Sequence, residues 1–503
     1  ELGRDEATRC VLMDREPQPP DQTPKTPNAH VDAPEAKHAM LDSPRNALRA
    51  ATTHIPHLPP LREVPVIRKV IGRSTESAEG LSGEARLHAR RNFRLGVLNG
   101  IMFSLVEALI SPSLVLAYFV SGLGAPNVLI GLLPAILSGG WFLPQILVAS
   151  RVQGKPRMMG WYRTMGLVRT VCMGLLALVT IGLAGQPSML LPAFFLLYII
   201  YAFSAGATGI PWLEIVGKVI PPRRRGSFFG LRSFWGGLLA LSAAGPIGAI
   251  LSESLWGLVF PYNFAFLFGL TTLSVGIGVW VWALIKEPVA TVAAPEVTIK
   301  SLLERGASAL STDRDYRSFM VARVLISLAS IADPFYVVFA KTRLSAPPST
   351  VGLYLGSLSA ASLLSNFIWS PLADRASNRT VMTLTVVSVA VVPLTALVAS
   401  LFAGSIDNTV LFTLFAAVFV LSGLALGSAR IVNNNMLLSI APPGERATYV
   451  SFLNLILGIV IFVPVLGGAL VDLVGFQVLF VLSLLVSAVS LAATLQMSNR
   501  RPA

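Results

Sequence analysis

The sequence predicts an all-α integral membrane protein: twelve transmembrane helices, arranged as two parallel six-helix repeats, behind a disordered N-terminal tail. Three observations carry this. Of 503 residues, 53% are hydrophobic and only 13% charged, about half the charged fraction of a soluble chain, roughly 25%. Twelve apolar runs of about 20 residues follow residue 94. The last six of these runs match the first six at a single offset. A net charge of +13 in a soluble protein suggests nucleic acid, so its placement along the chain matters.

The tail, residues 1–94, holds all five histidines (His30, His38, His54, His57 and His88) and 15 Lys+Arg against 13 Asp+Glu, a net +2. It shows no sustained helical or strand period and reads as disordered and cytoplasmic, with a short helix at about 82–94 leading into the membrane. Its histidines read as scattered polar residues rather than a metal site.

The first six runs are Leu95–Val120, Val128–Val148, Trp161–Ala184, Leu190–Pro211, Phe228–Leu251 and Tyr262–Ile285. They form a first bundle, residues 95–285. A polar linker, 286–317, follows, with an amphipathic helix expected at Ile299–Leu310 and Ser301 and Glu304 at capping-box spacing. The second bundle, 318–497, comprises Ser318–Ala340, Val351–Ala373, Val381–Ala403, Val410–Met436, Tyr449–Val471 and Phe476–Leu495. Residues 498–503 are a short polar end. Helix is the required form, because backbone groups in lipid must be satisfied within the segment. Alternating ten-residue segments, the mark of a β-barrel, are absent.

Charge orients the spans. Of the 24 Lys+Arg after residue 94, 19 fall at one side, including Arg151, Arg223–Arg225, Arg375 and Arg379; the other side has Lys341 and Arg343, and Arg169, Arg323 and Arg430 lie within helices. Basic loops face the cytoplasm, so both termini are read as cytoplasmic in a multi-pass protein of the plasma (bacterial inner) membrane. The basic excess is a topology signal, and no nucleic-acid partner is expected.

The two halves align at an offset of about 221 residues. Ala125-Pro126 matches Ala346-Pro347, Gly131 matches Gly352, Gly206 matches Gly427, and Pro221-Pro222 matches Pro442-Pro443; with a small slip, Pro112 matches Pro334. Each half has an even number of spans, so the repeats run parallel, as in alternating-access transporters. Residues 91–495 resemble the major facilitator superfamily. The strongest local likeness is Ser370-Pro371-Leu372-Ala373-Asp374-Arg375-Ala376-Ser377-Asn378-Arg379, similar to the family's loop signature after the eighth helix. The equivalent loop at 149–157 is degenerate, with Ser150 where the family has an acid. The resemblance implies that helices 1, 4, 7 and 10 line a central cavity.

Ionisable groups within a span cost several kcal/mol or find partners. Glu107, near mid-membrane in helix 1, and Asp333, beside Pro334 in helix 7, are the proton-coupling candidates; a structural hydrogen bond or ion pair is the plainer alternative for each. The cavity candidates are Asn99, Tyr198, Tyr201, Arg323, Tyr336, Arg430 and Asn433. So sparse a polar lining suits an amphiphilic compound better than a sugar. The charged groups at the cytoplasmic edge, Glu214, Arg225, Asp374, Arg375, Arg379, Glu445 and Arg446, are gate candidates; positive-inside topology with loop solvation explains the three consecutive arginines at 223–225, and the resemblance implies a latch at Asp374 and Arg375. The Gly-Pro segments at 245–248 and 464–468 read as packing. No histidine lies beyond the tail and no phosphate-loop signature is present, so neither an enzyme, a cofactor nor a metal is expected. The working expectation is a secondary transporter acting by alternating access, exporting a small amphiphilic compound in exchange for protons. It acts as a monomer, with the substrate, protons and the bilayer as its partners. An uptake carrier and a non-transporting membrane receptor remain alternatives. Cysteines placed at Lys341 and Arg343 should react with an impermeant maleimide from the outside alone; reaction from the inside breaks the twelve-span arrangement.

Overall fold

Apolar length and the need to satisfy every backbone amide produce helices throughout the membrane domain. A computed structural model describes residues 83–152, 156–253, 256–289, 299–440 and 446–496. The expected disorder of residues 1–82, four of the tail histidines and the segment 498–503 lie outside the described residues. Twelve helices among the described residues are long and apolar enough to span a membrane.

Helix α1 runs unbroken from Gly83 to Leu109, opens into a wide turn at Pro112–Leu116 and ends as Ala117–Gly122. Then come α2 (Asn127–Val152), α3 (Met159–Gly182), α4 (Pro187–Val219), α5 (Arg225–Leu251) and α6 (Tyr262–Ala283). A linker helix, Ile299–Thr312, precedes the second half. It begins two residues before Ser301, so Ser301 is inside the helix and the expected capping box does not mark its start. The second half has α7 (Arg314–Ala329, then Phe335–Arg343), α8 (Thr350–Arg375), α9 (Asn378–Leu401), α10 (Asn408–Leu414 and Ala416–Ile440), α11 (Arg446–Val460 and Val463–Val474) and α12 (Phe476–Leu495). Side chains cap three of these starts. Asp313 accepts from the amides of Asp315 and Tyr316, Ser377 from Thr380, and Asp407 from Thr409 and Val410. The Val410 and Thr409 amides hold the Asp407 carboxyl below its ordinary value.

The repeat is visible in the packing. In the first half α1 packs on α5 and α6, α2 on α4, and α3 on α4 and α6; α7–α12 repeat every one of these pairings. Individual rings follow suit. Phe119 packs on Phe194 at 5.3 Å, and Phe339 on Phe415 at 5.5 Å; Phe194 stacks on Tyr198, and Phe415 meets Phe419. The repeat-matched prolines break the same helix in each half. Pro112 has no amide to donate, and α1 resumes through a Leu116-to-Ser111 bond one residue wider than helical; Pro334 follows a tight turn closed by Asp333 N–H to Ser330 O at 3.1 Å.

The halves meet along α2–α11 and α5–α8, and glycines let their backbones touch. A Cβ on Gly352 of α8 would lie 2.6 Å from both Ala244 O and Gly248 Cα of α5. Gly131 of α2 abuts the Pro464 carbonyl of α11, and Gly468 of α11 abuts Asn127. All of these sit toward the end of the bundle opposite the arginines of 223–225, here termed the far end; the other is the basic end. Gly352→Ala should therefore lower stability by about 1–3 kcal/mol through overpacking. Gly245→Ala, whose Cβ meets open space, should hold or gain stability, since Ala favours helix over Gly by up to about 1 kcal/mol. Thermal unfolding of the purified variants checks the contrast.

Candidate functional site

Polar residues at helical spacing build a cavity between the halves. On α1, Gly100, Ser104, Glu107 and Ser111 fall at i, i+4, i+7 and i+11, one face of the helix. On α8, Leu355, Ser359, Ser362 and Asn366 form a second such face. These two faces, with Arg232 and Ser233 of α5, enclose about 550 Å³. Phe103, Leu358, Leu363 and Leu426 complete an apolar wall. The lining is thus richer in hydroxyls and charge than the sequence suggested, and α5 and α8 supply it where helices 4 and 7 were expected.

Arg232 is the site residue that sequence reasoning missed. Two turns, about 10 Å, separate it from the start of α5, so it resembles one more interface arginine. Folding turns it inward instead. Its Nη1 donates to the Gly96 carbonyl and to Asn99 Oδ1 at 3.1 Å. The guanidinium lies over Trp212 and Phe228 at 5.0 and 5.3 Å from the ring centres, where cation–π attraction holds it. A Cβ on Gly100 would meet Arg232 Nε at 2.6 Å, so only glycine leaves room. Glu107, two turns further along α1, faces the same cavity and acts electrostatically on Arg232. The readable signal was Gly96 and Gly100, a small-residue face on α1 that admits a long side chain.

Asn99 is fully buried and does not reach the cavity. It positions Arg232, and its Nδ2 donates to Gly278 O at 2.8 Å and to Tyr162 Oη at 3.5 Å. Tyr198 and Tyr201 are buried inside the first bundle: Tyr198 donates to Leu133 O at 3.3 Å, and Tyr201 Oη accepts from Arg169 at 2.9 Å. Asp333 and Tyr336 are brought together, but in a separate cavity of about 100 Å³ within the second half, with Ser330 and Ser422 beside them. Leu426 borders both cavities. Arg323 is half-buried on α7. Arg430 and Asn433 lie on α10, with side chains outside the described residues.

At the basic end the gate candidates do not converge among the described residues. Arg225 donates to the carbonyls of Gly217 and Ile220, closing the C-terminus of α4. Glu214 is exposed, and Arg379 is half-buried in the first turn of α9. The side chains of Asp374, Arg375 and Arg446, and the whole of Glu445, lie outside the described residues. A pair absent from the sequence reading does form there. Glu287, after α6, accepts the Met158 and Met159 amides that open α3 and pairs with Lys218 of α4 at 2.9 Å. This carboxylate ties three helices of the first half, at a helix N-terminus that favours negative charge.

At the far end, Lys341 of α7 sits 4.5 Å over the Tyr118 ring of α1 and 3.3 Å from Ser121 Oγ, and Asn127 of α2 donates to Asp472 Oδ1 of α11 at 2.7 Å. Both links cross between halves, so the far end is closed. Lys341 is one of the two cations, with Arg343, that depart from the charge rule; this contact gives Lys341 its place.

The described helices thus form two six-helix bundles with a polar cavity between them. The Major Facilitator Superfamily model matches residues 319–503. Among solved structures, a point mutant of the nucleoside transporter NupG superposes with a TM-score of 0.62 at 17% identity, covering 80% of this chain and 98% of that one. A D-xylose-proton symporter gives 0.59 at 14% identity (81% and 97%), and a bacterial homologue of the iron transporter ferroportin in an inward-facing state gives 0.60 at 15% (82% and 99%). At such identities these likenesses speak for the fold. Among curated proteins no sequence matches. The chain therefore has the fold of these transporters, and the family likeness covers its second half.

Lys341→Ala should weaken the far-end closure. Loss of a cation–π contact worth about 0.5–2 kcal/mol shifts the open-to-closed ratio about 2- to 30-fold. A cysteine placed at Ser121 should then be labelled faster; an unchanged rate removes Lys341 from the closure.

Proposed function

We propose that this protein exchanges protons for a small amphiphilic compound, exporting it across the plasma membrane by alternating access, with the basic end cytoplasmic. The observation that carries this reading is the placement of Glu107 in the central cavity between the halves. A carboxyl group there meets whichever side the cavity opens to, so one group alternates between substrate and proton. With the far end closed, the cavity serves the cytoplasmic side, where an exporter loads. Its walls divide into a polar half (Glu107, Arg232 and the serines) and an apolar half (Phe103, Leu358 and Leu426), which fits an amphiphile. Asp333, in its own cavity at the α7 break, is the second proton candidate. Its position beside a proline-broken helix places it where the second half bends.

In this scheme the halves rock about the α2–α11 and α5–α8 contacts. A deprotonated Glu107 receives substrate from inside, the basic end closes, and proton entry from outside releases it. In vesicles with an imposed pH gradient, Glu107→Gln and Asp333→Asn should each abolish gradient-driven flux while unfolding at the wild-type temperature. Normal pumping by both variants overturns the coupling assignment. Flux confined to sugars and other uncharged polar solutes overturns the export of amphiphiles and favours uptake.

A further inference from the structure

The smaller cavity, inside the second half, holds chemistry that proton exchange at Glu107 leaves unused. Asp333 is accessible at its wall, with Tyr336 and Ser422 beside it. About 100 Å³ adjoins the carboxyl group, and no Lys, Arg or His among the described residues shares the lining. The Ser330 hydroxyl is bonded to the Asp333 side chain. The Ser422 hydroxyl gives its proton to Val418 O at 2.8 Å, so its oxygen is left as an acceptor. Pro393, inside α9, has no amide for the carbonyl of Val389, and both residues line the cavity. The first segment of α7 ends at Ala329, also in the lining; a helix C-terminus carries unpaired carbonyls and partial negative charge.

The repeat sharpens the contrast. At the 221-residue offset Ser422 stands where the first half has Tyr201, and Ala390 where it has Arg169. In the first half the Arg169 guanidinium lies 4.8 Å from the centre of the Tyr201 ring and donates to its hydroxyl at 2.9 Å. One half thus carries a fixed cation between α3 and α4. At the matching positions of α9 and α10 the other half has small side chains, with a cavity and an acid beside them. Aligning Pro112 with Pro334 sets Asp333 against Ser111, so the acid too is particular to the second half.

We propose that this cavity binds an alkali-metal cation, with the Asp333 carboxylate as its charged ligand and the Ser422 oxygen and Val389 carbonyl as neutral ones. A carboxylate within the membrane needs a counter-charge, and one carboxylate balances one positive charge. Among the described residues no three His, Cys, Asp or Glu side chains gather to hold a metal, so a divalent ion is under-compensated here. One carboxylate with neutral oxygens is a hard donor set, and broken transmembrane helices present such sets to monovalent ions. A proton on Asp333 uses one oxygen and gives the cavity and the freed carbonyl no role; the ion uses them all. The ion takes the carboxyl group named as the second proton candidate, and the site goes beyond proton exchange at Glu107.

The test uses the purified full-length chain and reads binding without a gradient. Unfolding temperature is followed against sodium chloride and against potassium chloride, with choline chloride holding the ionic strength constant. At least one alkali ion should raise it saturably, and the ion that does so at the lower concentration is the occupant. Asp333→Asn, which should match the wild type in choline alone, should weaken the response about 10- to 100-fold, and Ser422→Ala about 3- to 10-fold. The wild-type comparison decides without any variant: if neither ion stabilises beyond choline, the inference is overturned. It is overturned as well if Asp333→Asn or Ser422→Ala keeps the full response, or if Glu107→Gln loses it while Asp333→Asn does not. Loss of proton-driven flux with ion binding intact removes the exchange reading and leaves the site. Proton-driven flux with no ion binding does the reverse.

Discussion

Backbone amides and carbonyls inside a hydrocarbon slab have no water to turn to, and most of this architecture follows from that. Each span must be a helix, and a break in a helix is tolerable where protein or a cavity surrounds it. The breaks in α1 and α7 obey this. Leu114–Val120, beyond Pro112, are buried, and Phe335–Ala340, beyond Pro334, are buried too. The same two breaks lie beside the acids: Ser111 lines the central cavity with Glu107, and Asp333 lines its own. Polar side chains and irregular backbone therefore share an address for one physical reason.

The two halves are held by a different force. Lipid tails are as apolar as leucine, so helices gain little by hiding oily surface from them; close van der Waals contact must hold them together. Gly131, Gly248, Gly352 and Gly468 provide it by removing side chains from the α2–α11 and α5–α8 crossings. Because these contacts, with Lys341 on Tyr118 and Asn127 on Asp472, gather at the far end, the cavity is capped there. Asn99, Arg232 and Glu287 do comparable work within the first half, where one polar side chain stitches three or four helices that have no hydrophobic reason to choose a single register.

Much of this was legible beforehand. Helix count, the parallel repeat and the linker helix followed from apolar length, charge asymmetry and spacing, since these depend on each segment's own composition. The matches Gly131/Gly352 and Pro112/Pro334 turned out to be the contact glycines and the helix breaks. The site was less legible. Glu107 stood out because a lone acid in an apolar run is costly. Tyr198 and Tyr201 share a helix face, yet that face turns into the bundle; the match of Tyr198 to Phe419 at the 221-residue offset was the available hint of packing. Arg232 was counted with the interface arginines because distance from a helix end does not say which way a side chain points.

The sequence by itself determined that this chain crosses a membrane twelve times as a doubled six-helix unit, because hydrophobic length and repeated spacing are properties of segments taken alone. Only the tertiary structure decided which charges share a cavity. Rotation of each helix about its own axis is set by its neighbours, through glycine contacts and buried hydrogen bonds between residues more than a hundred positions apart, such as Arg232 to Asn99. That rotation brought Arg232 and Glu107 into one space, kept Asp333 in another, and placed a lysine that defied the charge rule over a tyrosine of the opposite half.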